Sequence, residues 1–180
     1  MRILRDQTAG LVIDIQEKLF PFISGSDVLA LNSGILIKGL HTLGIPVIVT
    51  EQYTKGLGPT ILPLQQLFAG EMVIEKMAFS CCDEPAFMHH LADLNKKFIV
   101  ITGIESHVCV LQTTIDLLEK NFIPVIVEDC VSSRRLNDKQ MAVNRMRRMG
   151  AVITTYESVL FELLRYSGTE EFKAISKLVK

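Results

Sequence analysis

A three-layer, doubly wound α/β domain is the fold class that the sequence predicts, with six mainly parallel strands and helices on both faces. Short, continuously apolar runs rich in β-branched residues recur along the chain, as strands covered on both faces require. Segments with a helical apolar period lie between them. The chain has 180 residues, 48% of them hydrophobic and 22% charged. At that length one core buries roughly 70% of the unfolded surface, with no need of disulfides or a structural metal. No linker, low-complexity stretch or repeat divides the chain, so residues 1–180 read as a single domain.

The elements follow in order. Leu11-Val12-Ile13 is the first strand, and the helix-period stretch Leu29 to Leu43 follows it, closed by the turn residues Gly44-Ile45-Pro46. Pro46 to Val49 and Met72 to Ile74 are the second and third strands. A helix over Ala86 to Leu94 leads to the fourth strand, Phe98 to Ile101, and a helix over Val110 to Leu118 leads to the fifth, Pro124 to Val127. Asn137-Asp138 punctuates the start of a helix running from near Lys139 to Met149. The sixth strand is Ala151 to Ile153, with a last helical stretch over Val159 to Leu164. Strand and helix alternate throughout, which selects right-handed crossovers and a parallel sheet.

Composition excludes several function classes. A formal net charge of −1 gives no global attraction to nucleic acid or acidic lipid. Arg145, Arg147 and Arg148 cluster on one helical stretch, which reads as a solvated face rather than the extended footprint that nucleic acid needs. No segment offers about 18 uninterrupted apolar residues, and Met1 to Asp6 carries no leader-like pattern, so a cytoplasmic protein without a membrane partner is expected. Cys81, Cys82, Cys109 and Cys130 lack any C-x-x-C spacing, and the adjacent pairs Cys81-Cys82 and His89-His90 diverge in direction and match no zinc pattern. Gly56-Leu57-Gly58 lacks the third glycine of a dinucleotide fingerprint. Neither a metal nor an organic cofactor is expected.

In an open parallel sheet the ligand site lies outside the carboxyl ends of the strands. The polar residues there are Asp14 and Gln16, Glu51 to Tyr53, Glu75 and Lys76, the segment Gly103 to Cys109, and Asp129. Asp14, Lys76 and Cys109 stand out as an acid, a cation and a thiol. Each also has a plainer reading: Asp14 as a turn or helix cap, Lys76 as a surface lysine lying along apolar surface, Cys109 as a small buried hydrophobe. The last is the better reading for Cys81, Cys82 and Cys130. At a helix N-terminus, with a lysine nearby, the Cys109 thiol is expected to have a lowered pKa. His107 stands two residues from Cys109, too far round a helix to pair with it, and reads as a pocket or interface residue.

The segment Gly103-Ile104-Glu105-Ser106-His107-Val108-Cys109-Val110-Leu111-Gln112-Thr113-Thr114, with Asp14-x-Gln16, Lys76 before Phe79-Ser80, and Asp129-Cys130-Val131-Ser132-Ser133-Arg134, resembles the isochorismatase-like cysteine hydrolases over almost the whole chain. The resemblance implies that Asp14, Lys76 and Cys109 form a catalytic triad and that the peptide between Ile104 and Glu105 is a non-proline cis bond. Where nicotinamidases carry an Asp-x-His metal motif, this chain has Glu51-Gln52-Tyr53, and Ser106 stands in place of the usual Thr. True isochorismatases cleave a vinyl ether without this cysteine, so Cys109 argues for acyl chemistry. The Glu51 to Gly58 pattern is most similar to the branch of isochorismatase-domain-containing proteins.

The expected activity is hydrolysis of a small amide, ureide or related C–N bond through a thioester. Cys109 is the nucleophile, Asp14 the proton carrier, Lys76 the cation that favours the thiolate, and the backbone N–H groups of Glu105 and Cys109 face the oxyanion. Gln16, Phe20, Tyr53, Phe79 and His107 are the expected substrate-pocket residues. The alternative is a non-enzymatic oligomeric binding or scaffold protein with an idle triad. The apolar surplus predicts a homo-oligomer, most simply a dimer or tetramer, with Phe161 to Tyr166, the Val108 side of its helix and Phe79 to Met88 at the interface.

Overall fold

The computed structural model describes residues 1–68 and 70–180. Its strands are β1 (Thr8–Ile13), β2 (Val47–Gln52), β3 (Val73–Lys76), β4 (Phe98–Ile104), β5 (Ile123–Ser132) and β6 (Val152–Thr154). They form one six-stranded sheet in the order β3-β2-β1-β4-β5-β6, and every named pair is parallel. The chain winds outward from β1 to β3, returns to β4 beside β1, and winds out the other way. This reversal puts the topological switch point between β1 and β4, where an open sheet of this kind opens its crevice.

The helices are α1 (Ser26–Thr42), α2 (Thr54–Leu57), α3 (Leu62–Gln65), α4 (Pro85–Leu94), α5 (Leu111–Glu119), α6 (Leu136–Met149), α7 (Tyr156–Leu164) and α8 (Glu170–Leu178). Alternate strand residues feed two separate cores, as the period-2 geometry of a strand demands. Val12, Val49, Val100, Val125 and Val127 pack with α1, α7 and α8. Leu11, Ile13, Ile48, Ile99, Ile101 and Ile126 pack with α4, α5 and α6 on the opposite face.

Four local departures from the sequence reading have simple causes. β3 is an edge strand, so Met72 and Val73 are exposed rather than covered on both faces. α6 begins at Leu136, which places Asn137 and Asp138 inside its first turn, where Asp138 complements the helix dipole. β5 runs on to Ser132 through a register shift against β4, so Asp129 lies within the strand instead of after it. α8, a short and strongly amphipathic helix not anticipated from the sequence, covers α7: the Phe161 and Phe172 rings meet in a tilted pair with centroids 6.4 Å apart.

Candidate active site

Each candidate side chain is delivered by a strand end. β1 stops at Ile13 because Asp14 takes a positive φ of 54°, a region that an aspartate tolerates far better than a β-branched residue. That turn sends the Asp14 carboxylate sideways, across the mouth of β2. Gly103, near the end of β4, has φ 149°, and a Cβ there would stand 2.4 Å from the Ile13 carbonyl oxygen. Only glycine allows β1 and β4 to come so close just before the Glu105–Cys109 turn. The Ile104–Glu105 peptide bond is cis. Ser106 to Val110 then form a single π-helical turn that runs straight into α5, a local geometry frequent at functional sites.

Asp14, Lys76 and Cys109 come together at the carboxyl edge of the sheet. Lys76 Nζ lies 2.6 Å from Asp14 Oδ2 and donates to the carbonyls of Ala78 at 3.1 Å and Phe79 at 3.2 Å. Thr50 Oγ1 donates to the other carboxylate oxygen, Asp14 Oδ1, at 2.8 Å. Lys76 is therefore no surface lysine, being 1% exposed. Asp14 is used by its neighbours rather than as a helix cap.

The electrostatics follow from burial and from this pair. Burial pushes the Asp14 carboxyl above the usual carboxylate range, while the charge and hydrogen bond of Lys76 hold it back. Burial is the largest influence on the Lys76 ammonium and disfavours it, but the attraction of Asp14, joined by those of Cys81 and Cys109, leaves Lys76 above an ordinary lysine. Cys109 differs from the sequence expectation: its thiol is pushed up rather than down, by burial first and then by the Asp14 carboxylate, with Lys76 only partly offsetting them. The reason is geometric. Cys109 sits inside the π turn, 6% exposed, and not at the open first turn of a helix. Cys81, at about 11, and Cys82, at about 12, are likewise raised by burial.

The structure also brings in Gln52, which the sequence places among the strand-end polar residues without giving it a role in the triad. Gln52 Oε1 accepts from Cys109 Sγ at 3.1 Å and stands 3.3 Å from Lys76 Nζ. The available signal was its position: the last residue of β2, next to the β3 lysine.

The expected pocket residues separate into four places. Gln16 is fully buried, with its side chain bonded to the Gln52 main chain and to Gly58, so it braces the site instead of lining a pocket. Phe20 packs against the core on the α1 side. Tyr53 and Phe79 are half-exposed, and Tyr53 lines a cavity of about 370 Å³ with Lys55, Glu75, Lys76, Met77 and Glu84. His107 hydrogen-bonds Ser133 Oγ through Nδ1 at 2.9 Å and lines a different cavity of about 280 Å³, with Arg134, Arg135 and Asp138. Glu105 accepts from Arg134 Nε at 2.9 Å, which ties the residue after the cis bond to the segment after β5.

Among the described residues, no group of three or more His, Cys, Asp or Glu side chains converges as metal ligands. Glu51, which replaces the first acid of the nicotinamidase motif, is already engaged: its Oε1 accepts from Thr60 N at 2.6 Å and from Thr60 Oγ1 at 2.7 Å. Among the described residues, no helix is long and apolar enough to cross a membrane.

Comparison with known proteins places this geometry in context. The Isochorismatase domain family matches residues 8–158. Isochorismatase family protein 1B of Dictyostelium discoideum is 38% identical to the chain, over 99% of its length and 89% of the relative's. Among solved structures, the MAR1 ribonuclease of Caenorhabditis elegans superposes with a TM-score of 0.94 at 38% identity, covering 99% of this chain and 92% of that one. YcaC of Pseudomonas aeruginosa, with hexane-2,5-diol and covalent acrylamide, superposes with a TM-score of 0.92 at 26% identity, covering 98% and 91%.

Proposed function

The chain belongs to the isochorismatase family, and from that membership we propose that it is a cysteine-dependent hydrolase of small amides, ureides or related C–N bonds, working through a thioester. One observation carries the reading: a buried carboxylate, Asp14, is ion-paired to Lys76 on one side and is close enough to the Cys109 thiol on the other that each shifts the other's proton affinity. A thiol so placed needs no free thiolate in the resting state, because its base is already beside it.

The proposed cycle keeps one proton in play. The Cys109 sulfur attacks the substrate carbonyl carbon as its proton moves to Asp14, and the backbone N–H groups of Glu105 and Cys109 receive the oxyanion. Collapse breaks the C–N bond, and the leaving nitrogen takes the proton back from Asp14. Water, deprotonated by Asp14, then attacks the thioester, releasing the acid and restoring the thiol. Lys76 stays protonated throughout and keeps the carboxylate oriented. The covalent acrylamide in the P. aeruginosa neighbour supports the nucleophilic part of this reading, since acrylamide is a thiol electrophile.

The C. elegans neighbour's ribonuclease name makes RNA the substrate to test against. Glu75 and Glu84 flank Lys55 at the cavity beside Lys76, a mixed-sign mouth that lacks the extended basic footprint of an RNA-binding surface. We also assign the protein to a reducing, cytoplasmic setting with its four buried cysteines free, and to a homo-oligomer without a metal. The deciding experiment is a screen of amides, ureides, carbamoyl compounds and an RNA oligomer, read by ammonia or amine release and by intact-mass detection of an acyl adduct on Cys109. Adduct formation that disappears in Cys109→Ala supports the hydrolase. RNA cleavage that survives Cys109→Ala, or no turnover of any member of the panel, favours the ribonuclease or scaffold alternative.

A further inference from the structure

Gln52 closes β2 directly opposite Lys76 in the parallel register. Its side-chain oxygen receives the Cys109 thiol at 3.1 Å and faces the Lys76 ammonium at 3.3 Å, so one uncharged acceptor joins the cation to the sulfur. What holds Gln52 there is unusual. β1 supplies ladder partners to β2 only as far as Thr50, because Asp14 turns out of the strand. Beyond that point the side chain of Gln16 takes the place of a strand. Its Oε1 accepts from Gln52 N at 2.8 Å, and its Nε2 donates to Gln52 O at 2.9 Å and to Gly58 O at 2.7 Å. Both main-chain polar groups of Gln52 are therefore fixed, and its side chain leaves toward the thiol from a rigid base.

We infer that Gln52, clamped by Gln16, is a positioning residue for the nucleophile, fixing the Cys109 side chain toward the Asp14–Lys76 pair and holding the sulfur in its protonated resting form. The chemistry is that of an amide oxygen, which accepts from S–H and repels a thiolate, but is too weak a base to take the proton away. That task stays with Asp14. The other charged and titratable groups facing Cys109 are Asp14 and Cys81, which oppose a thiolate, and Lys76, which favours one. Gln52 thus adds a neutral restraint to a site whose charges already favour the protonated thiol. The inference rests on Cys109 being the nucleophile of the proposed hydrolase.

The test reads the thiol and not turnover. Intact protein is labelled with iodoacetamide from about pH 8 to pH 12, reaching above the ordinary thiol range because the Cys109 thiol is raised by burial, and the label on Cys109 is quantified by peptide mass spectrometry. Gln52→Leu, which removes the acceptor, is expected to shift the midpoint of labelling to lower pH by about one unit, and Gln52→Glu, which sets a carboxylate beside the sulfur, to shift it upward by a similar amount. Gln16→Leu, which leaves Gln52 in place but unclamped, should follow Gln52→Leu. A merely structural loosening raises labelling at every pH without moving the midpoint in opposite directions. Two Gln52 variants that keep the parent midpoint, or move it the same way, overturn the inference. Gln52→Asn, too short to reach the sulfur, gives the same downward shift and replaces the leucine variant if that one fails to fold. A failed substrate screen sinks the proposed reaction but leaves the labelling midpoints readable, so the two failures are distinguishable.

Discussion

Lys76 Nζ stands 2.6 Å from Asp14 Oδ2, with the two side chains 0% and 2% exposed. A buried pair of this kind is held by its surroundings as much as by its own attraction, because each charge loses hydration on burial. Here Thr50 satisfies the second carboxylate oxygen, and the Ala78 and Phe79 carbonyls share the ammonium hydrogens. The arrangement fixes a carboxylate of raised proton affinity next to a thiol.

Removing one partner should separate catalytic from structural loss. Cys109→Ala deletes one sulfur from a site already packed and is expected to abolish turnover while leaving the melting temperature nearly unchanged. Asp14→Asn is expected to lower kcat by roughly 10²–10⁴-fold, the usual range for a lost acid–base group. It should also destabilise the fold by about 3–5 kcal/mol, because Lys76 is left buried without its counter-charge. Steady-state kinetics and chemical denaturation check both; near-normal kcat in Cys109→Ala would remove covalent catalysis from the mechanism.

The pH profile follows from the same pair. Asp14 must be ionised to accept the thiol proton, and burial raises its pKa above the ordinary 3.8. kcat/KM is therefore expected to fall as pH drops through that raised value, at higher pH than an exposed aspartate would give. Lys76 is held above the ordinary 10.5, so its loss of charge should not limit activity on the alkaline side until beyond that pH. An acid limb at or below the ordinary aspartate value contradicts the role of Asp14 as base.

The sheet was legible because each strand is a short apolar run, and the meeting of Asp14, Lys76 and Cys109 was legible because strand ends converge at the switch point of a doubly wound sheet. What escaped was set by three-dimensional register. Gln52 reaches Cys109 only because β2 outruns β1 and a side chain, Gln16, completes its ladder; neither residue has a local signature for that role. The proton affinity of Cys109 was misjudged for a similar reason. Its position before an amphipathic stretch suggested an exposed helix N-terminus, whereas a π turn buries it beside a carboxylate.

Chelators should leave activity intact. The carboxylate that stands where nicotinamidases carry their metal motif is Glu51, and it is buried and bonded to both the N–H and the hydroxyl of Thr60. Glu51→Ala should instead cost stability, about 1–3 kcal/mol for each buried donor left without its acceptor. Treatment with EDTA followed by activity assay and elemental analysis checks this, and a stoichiometric transition metal whose removal stops turnover would refute it.

Assembly is the remaining expectation, and the structure adds a candidate face to those the sequence suggests. In the segment Phe161 to Tyr166, α8 partly covers Phe161 and Tyr166 stays exposed. Phe79, in the expected Phe79 to Met88 stretch, is also half-exposed, and a further uncovered apolar face lies beside α1. Phe22, Val28, Leu31 and Leu136 are each more than half exposed, and Val28 and Leu136 line one cavity of about 340 Å³ between α1 and the start of α6. Each such side chain left in water forgoes roughly 1.5–3 kcal/mol of burial, and a second copy of the same face offers the simplest cover, since a two-fold contact pairs a patch with itself. A closed homo-oligomer of even order is expected, and Leu136→Glu should weaken it by placing a charge in the contact. Light scattering coupled to gel filtration at micromolar concentration measures the mass of both proteins; a parent that elutes as a single 20.2 kDa species is a monomer, and the expectation fails.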